Sequence, residues 1–91
     1  MDEAGRPPLA ALGLRPGDRV RFRRGDAGHW NEGVVTGRER DGSVGLHDRK
    51  GASRAITPAR LEVRRPGPRG APRWIPVAEL AASREQLSLF G

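Results

Sequence analysis

The residues best equipped for chemistry in this chain are its arginines, and the chemistry they point to is anion binding. Sixteen of the 17 basic residues are arginine, with Lys50 the exception; against 11 Asp+Glu they leave a net charge of +6. The charge is uneven. Residues 15–65 carry 13 basic and seven acidic groups, while the flanking segments nearly cancel. In Arg19-Val20-Arg21-Phe22-Arg23 the apolar residues alternate with arginines, so Arg19, Arg21 and Arg23 share one face of an extended segment. Arg24, Arg38, Arg40, Arg49, Lys50 and Arg54 join them from loops and neighbouring segments. Such a set is expected to contact phosphates, with salt-dependent affinity and little sequence choice. Stacking platforms for single strands are scarce, Trp30 being the one candidate within residues 15–65. Non-specific duplex or backbone binding is therefore expected over base readout. The alternative is a solvated, arginine-rich surface with no polyanion partner.

A second group of residues is built for a different purpose. Gln86-Leu87-Ser88-Leu89-Phe90 places three apolar side chains in five residues, on a segment too short to bury them itself. Full burial of each is worth about 1.5–3 kcal/mol gross, less the cost of ordering a flexible segment. That leaves affinity on the order of micromolar, near −8 kcal/mol. The same Leu-Ser-Leu alternation also suits an edge strand closing the chain's own core.

All five residues match a known peptide. The string resembles the bacterial sliding-clamp-binding motif, whose usual form is Gln-Leu-Ser/Asp-Leu-Phe and which DNA polymerases, mismatch-repair and translesion proteins use to dock on the processivity clamp. The resemblance covers five of 91 residues. It implies that Gln86 hydrogen-bonds at the edge of a shallow groove and sets register, while Leu89 and Phe90 fill a deep pocket as anchors. Leu87 would occupy an intermediate subsite and Ser88 would point largely to solvent.

Other chemistries find little support. His29 and His47 are the only histidines, and neither has neighbours at metal-ligand spacing. No serine sits in a nucleophile-elbow context, and the glycines mark turns instead of a phosphate-cradling loop. Neither catalysis nor a cofactor is expected. Cysteine is absent, so no disulfide framework or thiolate metal site is available, which fits a reducing compartment. Met1-Asp2-Glu3-Ala4-Gly5 is acidic and unlike a signal peptide. No apolar run approaches the roughly 18 residues needed to cross a bilayer. A cytoplasmic monomer is expected, nucleoid-associated when clamp-bound.

Patterning then suggests what positions these groups. Residues 1–14 read as a flexible leader with room for one helical turn. Pro16-Gly17-Asp18 is a turn signal, followed by a strand over Arg19–Arg23. A second strand is expected over Trp30–Glu39, and Asp41-Gly42 is the strongest hairpin signal in the chain. A third strand runs through Ser43–His47, a tight turn follows at Asp48–Gly51, and a fourth strand spans about Ala52–Ile56. Thr57-Pro58-Ala59-Arg60 fits one helical turn, with Thr57 as N-cap and Pro58 at the first position. Leu61–Arg64 is a fifth strand. This predicts an all-β domain over residues 15–65, a small five-stranded SH3-like barrel resembling the Tudor/KOW group. Its expected core is Val20, Phe22, Val34, Val44, Leu46, Ile56, Leu61 and Val63, with Trp30 covering one end. A Tudor-type aromatic cage needs more rings than two Trp, two Phe and no Tyr provide. Pro66 to Ala71 with Pro72 reads as a linker across residues 66–73, and residues 74–85 as a short helical segment. That segment either docks on the barrel with Trp74 as the pin or stays mobile, and residues 86–91 form an extended tail.

The two halves together suggest an adaptor for DNA replication or repair. A basic barrel contacts nucleic acid, and a tether of roughly 20 residues, with a reach of about 25 Å as flexible coil, leads to a clamp-binding peptide. Recruitment of a partner and competition for the clamp are both compatible with it. An RNA- or ribosome-associated KOW-like barrel with a self-packed tail is the alternative, and a protein-interaction barrel from a mobile element or phage is a third.

Overall fold

The chain pairs its strands largely by sequence neighbourhood, which follows from short turns between alternating segments. The computed structural model describes residues 6–90 apart from 24, 26 and 27, with residues 84–90 described by backbone alone. Six strands, β1 (Arg19–Phe22), β2 (Asn31–Arg38), β3 (Val44–Asp48), β4 (Ser53–Ile56), β5 (Leu61–Pro66) and β6 (Pro72–Pro76), precede one helix, α1 (Val77–Phe90). They form one antiparallel sheet in the order β4-β3-β2-β1-β5-β6, and the sheet is not closed.

The turns behave as their chemistry requires. At the β2–β3 hairpin the Asp41 carboxylate accepts bonds from the Ser43 N–H (2.9 Å) and hydroxyl (2.7 Å), and Gly42 takes the left-handed φ of +93°. At the β3–β4 turn Asp48 accepts from the N–H groups of Lys50 and Ala52, both at 2.9 Å. A 3-10 turn over Pro58–Arg60 leads into β5, with Thr57 at its N-cap but without a side-chain capping bond.

One face of the sheet carries the core. Val20, Phe22, Val35, Val44, Leu46, Leu61 and Val63 are buried there, joined by Val77 of α1 and by Leu12 and Leu14. Two expectations about the core need correction. Val34, expected inside, is 42 % exposed, and its neighbour Val35 is buried in its place. Adjacent valines give no alternation to choose between, and pairing of Val34 with Arg19 assigns it to the outer face. The register also slips between Val35 and Gly37, a bulge that breaks the simple period. The second correction concerns the leader. Leu9–Leu12 is a 3-10 turn closed by Gly13 in the left-handed region, and Leu14 is only 1 % exposed. Arg65 fastens this segment by donating to the Gly13 carbonyl at 2.8 Å and to Asp18 at 3.0 Å.

The Pro/Gly run is likewise not a linker. Gly67–Ala71 is the turn of a hairpin, with Pro66 opposite Pro72 and Glu62 opposite Pro76. Prolines are tolerated because β6 is an edge strand, bonded on one side only, so a missing N–H can face outward. Trp74 and Ile75 accordingly belong to β6 and not to a helix. The helix itself runs through Phe90 instead of stopping at residue 85. Gln86 and Leu87 are good helix formers, and neither Gly nor Pro interrupts the segment. α1 lies against the Leu9–Leu12 and Pro58–Arg60 turns and against β5 and β6. Val77 is buried, and Leu80 and Ala81 pack partly on the core. Among the described residues no helix is long and apolar enough to cross a membrane.

Candidate functional site

Strand register decides which side chains meet on the outer face. Arg21 of β1 pairs with Glu32 of β2 on one side and Glu62 of β5 on the other, and Glu62 pairs with Pro76 of β6. Two residues along β5, Arg64 pairs with Trp74. Arg19, Val34, His47 and Ser53 form the next row across the sheet. Opposite charges on adjacent strands at this spacing attract. Arg21 uses that geometry fully: its Nε and Nη2 donate to the same Glu62 oxygen at 2.7 and 2.6 Å.

The Arg21 guanidinium also lies over two indoles, 4.0 Å from the Trp30 ring centre and 4.8 Å from that of Trp74. Arg23 adds a second cation over Trp30 at 4.6 Å. Both tryptophans of the chain thus converge on one arginine, and Trp30, expected to cover an end of the core, is 38 % exposed on the outer face instead. They do not make an open cage: the space between them is filled by the chain's own side chain. Stacking surface is nevertheless richer than the sequence suggested, since Trp74 joins Trp30.

The expected anion-binding residues divide into three groups. Arg19, Arg21 and Arg23 do lie together on the outer face, though Arg21 is committed to Glu62 and the indoles. Arg40, Arg49 and Lys50 are exposed in turns, with Arg49 at 3.6 Å from Glu32. Arg38 and Arg54 are occupied elsewhere. Arg38 donates to the carbonyls of Gly42 (2.7 Å) and Pro8 (2.9 Å), bracing the leader segment. Arg54 pairs with Leu46 of the inner row and donates to Asp48 at 2.7 Å. Arg24 lies outside the described residues. The eight described residues therefore do not make one continuous basic surface.

Two carboxylates are held below the ordinary carboxylate range. For Asp48 the largest cause is the hydrogen bond from Arg54, followed by the backbone N–H of Ala52. For Asp41 it is the Ser43 hydroxyl, then the Ser43 N–H. Both act on turns, remote from acid–base work. His29 and His47 are exposed, and among the described residues no group of three His, Cys, Asp or Glu could hold a metal ion.

The peptide Gln86–Phe90 occupies the last turns of α1, so it is neither an extended tail nor an edge strand. The side chains of Gln86, Leu87, Ser88, Leu89 and Phe90 lie outside the described residues. Glu62 and Trp74 were missed by the sequence reading. Only the register of β5 reveals Glu62, and Trp74 joins the face because the Pro/Gly run turns back on itself. Compared with known proteins, the chain matches no family model, no curated protein and no solved structure.

Proposed function

We propose that this protein is a non-enzymatic adaptor that docks on the bacterial DNA sliding clamp through Gln86–Phe90 and touches nucleic acid with the outer face of its sheet. The single observation that carries the reading is the complete match of Gln86, Leu87, Ser88, Leu89 and Phe90 to the clamp-binding pattern. The placement in α1 supports it. Among the described residues, Val77, Leu80 and Ala81 attach the helix to the core, all well before Gln86. Unwinding the last turns to fit a groove leaves that attachment in place. The order β4-β3-β2-β1-β5, with a 3-10 turn before β5, supports an SH3-like arrangement of residues 15–65 to which β6 and α1 are added. Arg19, Arg23 and Arg64 on the outer face support phosphate contact.

The test is a calorimetric titration of the full chain against a bacterial sliding clamp, beside a Leu89→Ala/Phe90→Ala variant. Micromolar binding by the wild type, weakened at least about tenfold in the variant, is expected from two lost anchors. Absence of binding by the wild type would remove the clamp from the account. The reading that then leads is an RNA- or ribosome-associated barrel, favoured by the docking of α1 on the core through Val77.

A further inference from the structure

From the cleft beside Trp30, we infer that the outer face takes single-stranded nucleic acid, seating one unpaired base against the indole. The inference rests on the nucleic-acid half of the proposed function and goes beyond it, because backbone contact alone does not distinguish one strand from two. The cleft has a volume of about 290 Å³ and lies between Trp30, the Pro58–Arg60 turn and Pro76, with Arg23 and Arg60 at its margin. Its one carboxylate among the described residues, Glu62, is neutralised by Arg21. An aromatic wall in a cleft that two cations also line offers a stacking face and phosphate partners together, the combination a single strand presents. An acidic peptide offers the charge without the planar group, and a duplex keeps its base faces stacked and out of reach.

Arg23 and Arg21 play different parts. Arg21 is fixed by two bonds to Glu62 and holds the Trp30 ring in orientation. Arg23 touches the same ring but has no carboxylate partner among the described residues. A single cation–π contact on a ring as exposed as Trp30 is weak. Arg23 therefore swings from the ring to a phosphate when a base arrives, exchanging one contact for another, while Arg60 holds the phosphate on the far side. Trp74, across Arg21 from Trp30, gives a second ring for a neighbouring base.

The experiment is anisotropy of labelled oligo-dT and of a duplex of equal length with the full chain. It is repeated for Trp30→Ala, Trp30→Phe and the Arg23→Gln/Arg60→Gln pair, each checked for native circular dichroism. Trp30→Ala is expected to weaken oligo-dT binding about 5- to 150-fold, the loss of one stacked base, and to leave duplex binding unchanged. Trp30→Phe keeps a ring and should retain most of the affinity. Loss of two phosphate contacts lowers the slope of log K against log salt by about 1.4. In a Trp74→Phe background, quenching of the remaining Trp30 emission by oligo-dT reads stacking directly, without removing the ring under test. Equal affinity for both nucleic acids, indifferent to Trp30→Ala, would overturn the inference and keep phosphate contact. Binding of neither would overturn both. Displacement of oligo-dT by polyglutamate of equal charge would assign the cleft to acidic peptides and overturn the inference as well. None of these outcomes bears on the clamp titration.

Discussion

Replacing Arg21 by alanine should destabilise this domain far more than a surface arginine normally would. Both side chains of the Arg21–Glu62 pair are mostly covered, 26 % and 23 % exposed, and the guanidinium meets one carboxylate oxygen twice. That places the pair at the upper end of the range for partly exposed ion pairs, about 1 kcal/mol. Its two cation–π contacts add about 0.5–1 kcal/mol each. The loss is about 2 kcal/mol, some of the contributions being shared. A domain of 91 residues shifts its Tm by about 5 °C per kcal/mol, so a fall of about 10 °C is expected. Thermal melts of Arg21→Ala, Glu62→Ala and the double variant form a cycle that isolates the pair. Its coupling should be about 1 kcal/mol and should shrink in high salt. Tryptophan emission should shift to the red in Arg21→Ala and in the double variant but not in Glu62→Ala, because only loss of the guanidinium uncovers the indoles. Additivity within about 0.3 kcal/mol, with unchanged emission, would refute the claim that Arg21 organises this face.

Two further perturbations address the leader and the turns. Leu14→Ala should cost about 2–5 kcal/mol in chemical denaturation, as for other buried leucines; a change within about 0.5 kcal/mol would mean the leader is not part of the core. Asp48→Asn tests the acid limb. Because the native Asp48 pKa is lowered from 3.8, chiefly by Arg54, its contribution is full above about pH 4 and is lost as the carboxylate protonates below that. The variant should melt earlier at neutral pH and lose less stability between neutral pH and pH 2. Parallel Tm–pH curves for wild type and variant would refute the assignment.

How much of this was legible depended on whether a local signal existed. The strands β1 to β5 were, because their alternation and turn residues, Asp41-Gly42 and Asp48 to Gly51 among them, act within a few residues. The Pro/Gly run defeated the reading because composition does not say whether a proline-rich stretch is a linker or a tight turn. That depends on whether the flanking strand lies at an edge. Glu62 was invisible as the partner of Arg21 because the two are 41 positions apart and only register joins them. The distribution of arginines was legible as charge but not as surface. Arg38 is spent on backbone carbonyls and Arg54 on Asp48, demands that no periodicity announces.

The loss of the linker changes how the two proposed contacts cooperate. A flexible tether of about 20 residues would let peptide and sheet find their partners independently, at an effective concentration set by coil statistics. Instead β6 runs directly into α1, whose 14 residues span about 21 Å at 1.5 Å per residue. The peptide is thus offset from the core by a short helix rooted at Val77. With so little slack, simultaneous engagement is strongly favoured if the clamp groove and the nucleic acid lie at the matching distance, and excluded if they do not. The unwinding that frees Gln86–Phe90 supplies only a few residues of extended chain, at most about 3.3–3.6 Å each. Clamp binding and strand binding should therefore be coupled. Saturating oligo-dT should change the clamp Kd of the wild type, in either direction. It should cease to do so when a flexible Gly/Ser segment is inserted after Ser83, because slack removes the geometric constraint. An unchanged clamp Kd in the uninterrupted chain would show that the helix does not link the two contacts.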